Sequence, residues 1–267
     1  MKVRSAIRGI QIAFIAVSAI GLAEDFASGA RSRREDRADR PAVRSGEWEG
    51  DPDRWTQTHQ NYVDRARRAD ADLVFLGDSI FYAWGDDSRN DLGHPSWRSE
   101  FAPLKAVNFG FPGDQTQHLL HRIDDGELDG HPRVAVVLIG TNNLTSGQSV
   151  EATASGIAAV VDRIRQASPS TRILLLGLLP RGSRASDPLR VAAGRVNEII
   201  ERWASRTGVD YLDVGASFLR PDGRIDVNLM MDDLHPSPGG YQSMAEALRD
   251  PIRRLLGVGR SPIALNP

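Results

Sequence analysis

Leu73-Val74-Phe75-Leu76-Gly77-Asp78-Ser79-Ile80 decides the fold. Four large apolar residues follow one another without alternation, so a strand made from them is buried on both faces. The run stops at a glycine, and the polar pair Asp78-Ser79 opens whatever follows. The same design recurs farther along the chain. Ala106-Val107-Asn108-Phe109, Val134 to Ile139, Ile173-Leu174-Leu175-Leu176 and Val209-Asp210-Tyr211-Leu212 read as four further strands. Helical periodicity fills the gaps: a first helix carrying Trp55, Tyr62 and Val63, then 115–124, 151–167, 189–205 and 239–256. Doubly buried strands alternating with helices predict a three-layer α/β/α domain on a flavodoxin-like, five-stranded parallel sheet.

Composition bounds the rest. The 267 residues suit one sizeable domain with extra terminal segments, and 40% hydrophobic content is enough for a packed core. A formal net charge of −2 gives no general drive toward nucleic acid. The absence of cysteine removes disulfides, thiolate catalysis and cysteine metal sites.

Lys2, Arg4 and Arg8 precede an apolar stretch from Ile10 to Ala23, closed by the small residues of Gly21-Leu22-Ala23. That is the layout of a signal peptide over 1–23, and it implies a secreted or periplasmic protein with no stable membrane span after processing. An uncleaved anchor and an overextended gene start are the alternatives. Residues 24–50, where Arg31, Arg33, Arg34, Arg37 and Arg40 alternate with Glu35, Asp36 and Asp39, read as a charged flexible linker. The folded domain is expected over 51–257, followed by a loose tail over 258–267.

In open parallel sheets, ligands bind beyond the carboxyl ends of the strands. Four polar segments fall there. Ser79, at a strand-to-helix junction, would face the crevice with its own N–H at a helix start; alone it reads as an N-cap. Asn108 to Asp114 contains Gly110 and Gly113, which permit close backbone approach to a ligand. Asn142, in Gly140-Thr141-Asn142-Asn143, can donate an amide hydrogen bond. His235 ends Asp232-Asp233-Leu234-His235. A carboxylate three residues upstream can bond its ring across a tight turn and fix its tautomer. Each segment alone is ordinary turn chemistry. Together they supply a nucleophile, a base with its orienter, and oxyanion donors, which are the parts of acyl transfer. No Gly-x-Ser-x-Gly elbow, phosphate loop or His-Glu-x-x-His pair competes. His118 and His121 share a helix face and could suit a metal, but no third ligand is evident in the sequence. His59, His94 and His131 read as structural or surface residues, and Trp55 with Tyr62 as core. No cofactor and no metal is expected.

The ordered blocks around Ser79, Gly113, Asn142 and His235 resemble the SGNH/GDSL hydrolase superfamily. Phe75-Leu76-Gly77-Asp78-Ser79, Val107 to Asp114, Ile139 to Asn143, Gly177-Leu178-Leu179-Pro180-Arg181-Gly182, the run from His118 to Leu128, and Asp233-Leu234-His235 leading to Gly239-Gly240-Tyr241 are similar to the platelet-activating-factor acetylhydrolase catalytic-subunit type. The likeness spans about residues 54–256. It implies Ser79 as nucleophile, His235 as base and Asp232 as orienter, the family spacing selecting Asp232 over Asp233. It also implies an oxyanion hole made by the Ser79 and Gly113 N–H groups and the Asn142 side chain. The implied activity is a metal-independent serine esterase acting on short-chain, acetyl-type esters through an acyl-Ser79 intermediate. A carbohydrate O-deacetylase or an SGNH O-acyltransferase uses the same catalytic set, and a non-catalytic binding module would have shed part of it. The substrate is a small ester or an acylated lipid or carbohydrate; a homodimer is admitted. Residues 81–97 hold bulky aromatics interrupted by Gly85, Asp86, Asp87, Arg89, Asp91 and Pro95, and no apolar lid is expected there.

Overall fold

The computed structural model describes residues 37–45, 50–68, 71–85 and 94–258. The apolar runs become β1 (Leu73–Gly77), β2 (Ala106–Gly110), β3 (Val134–Leu138), β4 (Arg172–Leu176) and β5 (Asp210–Leu212). They pair in parallel in the order β2-β1-β3-β4-β5. Every residue of β1 and β3 is buried, as their unbroken hydrophobicity requires. The register matters for the site. Gly77 lies opposite both Gly110 and Leu138, so the three central strands end level. The residues that leave them therefore meet at one edge, where the strand order reverses between β1 and β3 and opens a crevice.

Eight α-helices are described: α1 (Arg54–Arg68), α2 (Ser79–Trp84), α3 (His94–Glu100), α4 (Thr116–Arg122), α5 (Thr141–Thr145), α6 (Val150–Ala167), α7 (Pro188–Thr207) and α8 (Pro238–Leu256). α6 packs against both α4 and α7, whereas α8 packs against α3 and on β3 and β4. Phe75 anchors an aromatic core beside β1, its ring 4.8 Å from Trp97 and 4.9 Å from Phe101. Burial of each such ring stabilises the fold by about 1.5–3 kcal/mol. Among the described residues, no helix is long and apolar enough to cross a membrane.

Three details differ from the sequence reading. The short helices α2, α3 and α5 carry too few turns to show a period. The helix expected over 115–124 is α-helical only to Arg122, then widens into a single π-helical turn, Ile123–Glu127, around Gly126 at φ 107°. The third concerns the charged segment 24–50. Its stretch 37–45 is laid across the domain: Ala38 is buried, its carbonyl accepts from Thr116 Oγ1 at 2.7 Å, and Ala42 N–H donates to Gln117 O at 3.0 Å. Ala38 hides among arginines, so composition alone reads this strap as linker. The expected signal peptide over 1–23, residues 24–36 and 46–49, residues 86–93 of the stretch where no lid is expected, and the tail beyond 258 lie outside the described residues.

Candidate active site

Ser79 begins α2. The Asp78 carboxylate caps the helix by accepting from Ile80 N–H at 3.0 Å. As the first helical residue, Ser79 has an N–H with no intrahelical acceptor, which leaves it for a ligand. The turn is clamped from three sides. Tyr241 O–H donates to Ile80 O at 2.8 Å, Asn108 Nδ2 donates to Phe81 O at 2.6 Å, and β2 approaches so closely that a Cβ on Gly110 would lie 2.3 Å from Tyr82 N.

Ser79 Oγ lies 2.9 Å from His235 Nε2, and His235 Nδ1 lies 2.8 Å from Asp232 Oδ2. The other oxygen of Asp232 accepts the backbone N–H groups of His235 at 2.7 Å and Leu234 at 3.2 Å. Burial works against the Asp232 charge, but the bonds from His235 outweigh it and hold the carboxyl below its usual range. Asp233 takes a left-handed φ of 59°, and its carbonyl accepts from Gly182 N–H at 2.9 Å. Of the two adjacent aspartates, Asp232 is the one bonded to the imidazole.

Gly113 adopts φ 77°, a conformation that favours glycine. The two asparagines after β3 divide their work. Asn143 is buried and tied to Thr116, Gln117 and Gln148, whereas the half-buried Asn142 donates from Nδ2 to Asp114 O at 2.9 Å. A primary amide has two N–H bonds, so this contact orients the group and leaves one N–H for a ligand.

Sequence reasoning missed Arg44. Its guanidinium donates to Pro112 O, stands 3.9 Å from Asp114 Oδ1, and lies so near Gly113 that a Cβ there would be 2.9 Å from Nη2. Sequence reasoning also missed the ionic layer beside this loop. Arg122 is wholly buried; its Nε donates to Asp114 Oδ2 at 2.8 Å, Nη1 to Glu127 and to Phe109 O at 3.1 Å, and Nη2 to Gly77 O at 3.3 Å. Burial opposes this charge, yet Glu127 and Asp114 outweigh it and the pKa is raised. Asp114 also accepts from Trp55 Nε1 at 2.9 Å; burial still pushes its carboxyl up to about 6. A complete ion network in a dry site specifies geometry more than it adds stability. In sequence these charges are spread over three local settings: Asp114 precedes α4, Arg122 ends it and Glu127 closes the π-helical turn.

The helix histidines part company. His118 Nδ1 accepts from Gln115 N–H at 3.1 Å, and burial pushes its pKa down to about 4. His121 turns instead toward His59 and Asp125. His59, read from sequence as structural or exposed, is buried with a carboxylate at each ring nitrogen: Glu127 at 2.8 Å and Asp125 at 3.0 Å. Two charges border the crevice. Asp78 is buried, and burial pushes its carboxyl up to about 7 despite the Ile80 hydrogen bond. Arg181 donates to Thr141 O at 3.2 Å, Thr141 Oγ1 at 3.0 Å and Thr145 Oγ1 at 2.8 Å, and burial draws its pKa down.

Comparison with known proteins places the chain in a family. The profile of the GDSL-like lipase/acylhydrolase family matches residues 75–243. The alpha1 subunit of platelet-activating factor acetylhydrolase IB from Bos taurus is 37% identical over 218 residues, 79% of this chain and 89% of that one. The alpha2 subunit from Rattus norvegicus is 37% identical over 206 residues, 76% of this chain and 86% of that one. Among solved structures, a GDSL-like lipase from Bacteroides thetaiotaomicron superposes with TM-score 0.60 at 17% identity, covering 75% of this chain and 96% of that one. An acetyl xylan esterase superposes with TM-score 0.57 at 18% identity, covering 67% and 98%. At these identities the two structures speak for the fold.

Proposed function

The chain is a carboxylic-ester hydrolase of the GDSL-like lipase/acylhydrolase family, and from that premise we propose that it cleaves short-chain, acetyl-type esters through an acyl-Ser79 intermediate. One observation carries the reading: the unbroken chain from Ser79 Oγ through both nitrogens of His235 to Asp232, with links of 2.9 and 2.8 Å. Asp232 fixes the proton on Nδ1, so Nε2 presents its lone pair to the serine hydroxyl. His235 takes the Ser79 proton as Oγ attacks the carbonyl carbon. Negative charge then grows on the former carbonyl oxygen. The N–H groups of Ser79 and Gly113 and the free amide N–H of Asn142 are the donors proposed to stabilise it. Collapse of the adduct expels the alcohol, which leaves with the proton from His235. Water, activated by the same imidazole, then hydrolyses the acyl-serine.

The acetyl-type preference is supported by the curated relatives, which are acetylhydrolase subunits, and by the charged group Arg181 beside the crevice. The layout of residues 1–23 supports export to the periplasm or beyond, so the secreted protein would begin near Glu24. Mass spectrometry of that protein checks this, and an intact Met1 on cytosolic protein would refute it. The catalytic proposal is tested with Ser79→Ala. Ester turnover and covalent labelling by a fluorophosphonate should both vanish while the circular dichroism stays unchanged. Hydrolysis undiminished in that variant would remove Ser79 from the mechanism.

A further inference from the structure

We infer that His59, His121 and Asp125 form a binding site for one divalent transition-metal ion of the zinc or nickel kind, separate from the ester-cleaving groups. The argument begins with His59, which is 2% exposed. Its Nδ1 lies 2.8 Å from Glu127 Oε1, and its Nε2 lies 3.0 Å from Asp125 Oδ2. A neutral imidazole carries one N–H and one lone pair, so it can donate to one carboxylate only. Glu127 is the fixed partner, buried and bonded to Arg122. The Nδ1 proton therefore belongs with Glu127. Nε2, the other ring nitrogen, faces Asp125, which places an imidazole nitrogen and a carboxylate oxygen side by side as metal ligands would be.

His121 supplies what distinguishes a metal from a proton. A proton bridging His59 and Asp125 needs no third group. Yet one ligand atom from each of His59, His121 and Asp125 lies within 4.8 Å of the other two, and the two imidazole centroids are 5.8 Å apart. Two imidazoles and a carboxylate suit zinc, nickel or cobalt and do not suit calcium or magnesium. With metal–ligand bonds of about 2.0–2.1 Å in a tetrahedral arrangement, neighbouring ligand atoms sit about 3.3 Å apart. Binding would thus widen the 3.0 Å His59–Asp125 contact slightly and draw His121 inward. Glu127 behind His59 is the outer carboxylate that such histidine ligands usually have, fixing tautomer and ring orientation.

The local fold explains how these residues meet. His121 and Asp125 are four positions apart across the junction where α4 opens into the π-helical turn. Gly126 at φ 107° then reverses the chain, so Asp125 and Glu127 reach opposite nitrogens of one ring. The Asp125 side chain is 58% exposed, which leaves an entry path and room for water as a fourth ligand. The ring of Trp55 packs on both histidines, with centroids 5.5 Å from His59 and 5.8 Å from His121.

Isothermal titration of the full chain with zinc chloride, and separately with nickel chloride, tests the site. One ion per chain should bind. His121→Gln and Asp125→Asn, both at partly or fully exposed positions, should each weaken binding at least about tenfold. Zinc should raise the Tm of the parent protein and leave that of the variants nearly unmoved. Cobalt substitution should give the visible absorption of a low-coordinate ion in the parent protein only. No binding by the parent protein would mean that these three side chains hold no metal ion. Equal affinity in both variants would place the ion elsewhere. Either result overturns the site, and neither depends on ester turnover.

Discussion

The guanidinium of Arg44 grips the backbone carbonyl of Pro112. That carbonyl and the N–H of Gly113 belong to one peptide plane. In a trans peptide the two bonds point in opposite directions. Holding the oxygen toward Arg44 therefore aims the Gly113 N–H the other way. Arg44 is thus a positioning residue for one proposed oxyanion donor, supplied by a strap that precedes the first helix. Arg44→Ala should lower kcat several-fold with little change in KM, because an aim needed only by the growing oxyanion affects the transition state selectively. Arg44→Lys should recover part of the loss. A change confined to KM would assign Arg44 to substrate binding instead.

Asn142 tests the same hole from the opposite wall. Its amide is already oriented by Asp114 O at 2.9 Å, so the remaining N–H needs no reorganisation during reaction. Removal of one preorganised donor typically costs about 2.7–4 kcal/mol, roughly 10²–10³ in turnover. Asn142→Ala should show that loss in kcat at nearly constant KM. Steady-state kinetics on p-nitrophenyl acetate provide the measurement, and a loss below tenfold would exclude Asn142 as an oxyanion donor.

Much of this was legible in sequence where one physical demand dominates. The unbroken runs Leu73 to Leu76 and Val134 to Leu138 can only be strands buried on both faces, and their ends located Ser79 and Asn142. Asp232 could be paired with His235 because a three-residue reach across a turn is local. What escaped was long-range and polar. Nothing near Arg44 announces Pro112, 68 positions away, and nothing near His59 announces Glu127 at the same separation. Charged residues in buried networks look like surface residues until the chain that covers them is in place. Tyr241, which reaches Ile80 from α8, reads as ordinary helix core for the same reason.

Asp78 makes a pH-dependent prediction. Its Oδ1 caps α2, while Oδ2 is buried and without a hydrogen-bond partner among the described residues. Burial raises the folded-state pKa from 3.8 to about 7. The folded protein therefore keeps this proton where the unfolded chain has released it. Stability from this group is fully present below about 4, declines as pH rises from there, and is lost through about 7. Asp78→Asn keeps the capping oxygen and removes the titration. In urea unfolding at pH 5 and pH 8, the stability of Asp78→Asn relative to the parent protein should be higher at pH 8, by about 1–3 kcal/mol. An equal difference at both pH values would show that Asp78 ionises normally.

Acyl-chain length tests the proposed substrate class. An apolar tail needs a continuous apolar wall, worth roughly 0.8 kcal/mol per buried methylene. Near Ser79 and His235 the described residues include polar and charged groups. Arg181 is held on Thr141 and Thr145, and the Gly182 N–H is tied to Asp233 O. A methylene laid against a guanidinium displaces its water without replacing the hydrogen bonds, so lengthening the acyl group gains little and then costs. On p-nitrophenyl esters, kcat/KM should be highest from acetyl to butyryl and fall steeply beyond octanoyl. Arg181→Leu should shift that profile toward longer chains by removing the desolvation penalty at the rim. Rates that climb toward palmitoyl in the parent protein, with a jump at the lipid–water interface, would identify a true lipase and overturn the acetyl-type assignment.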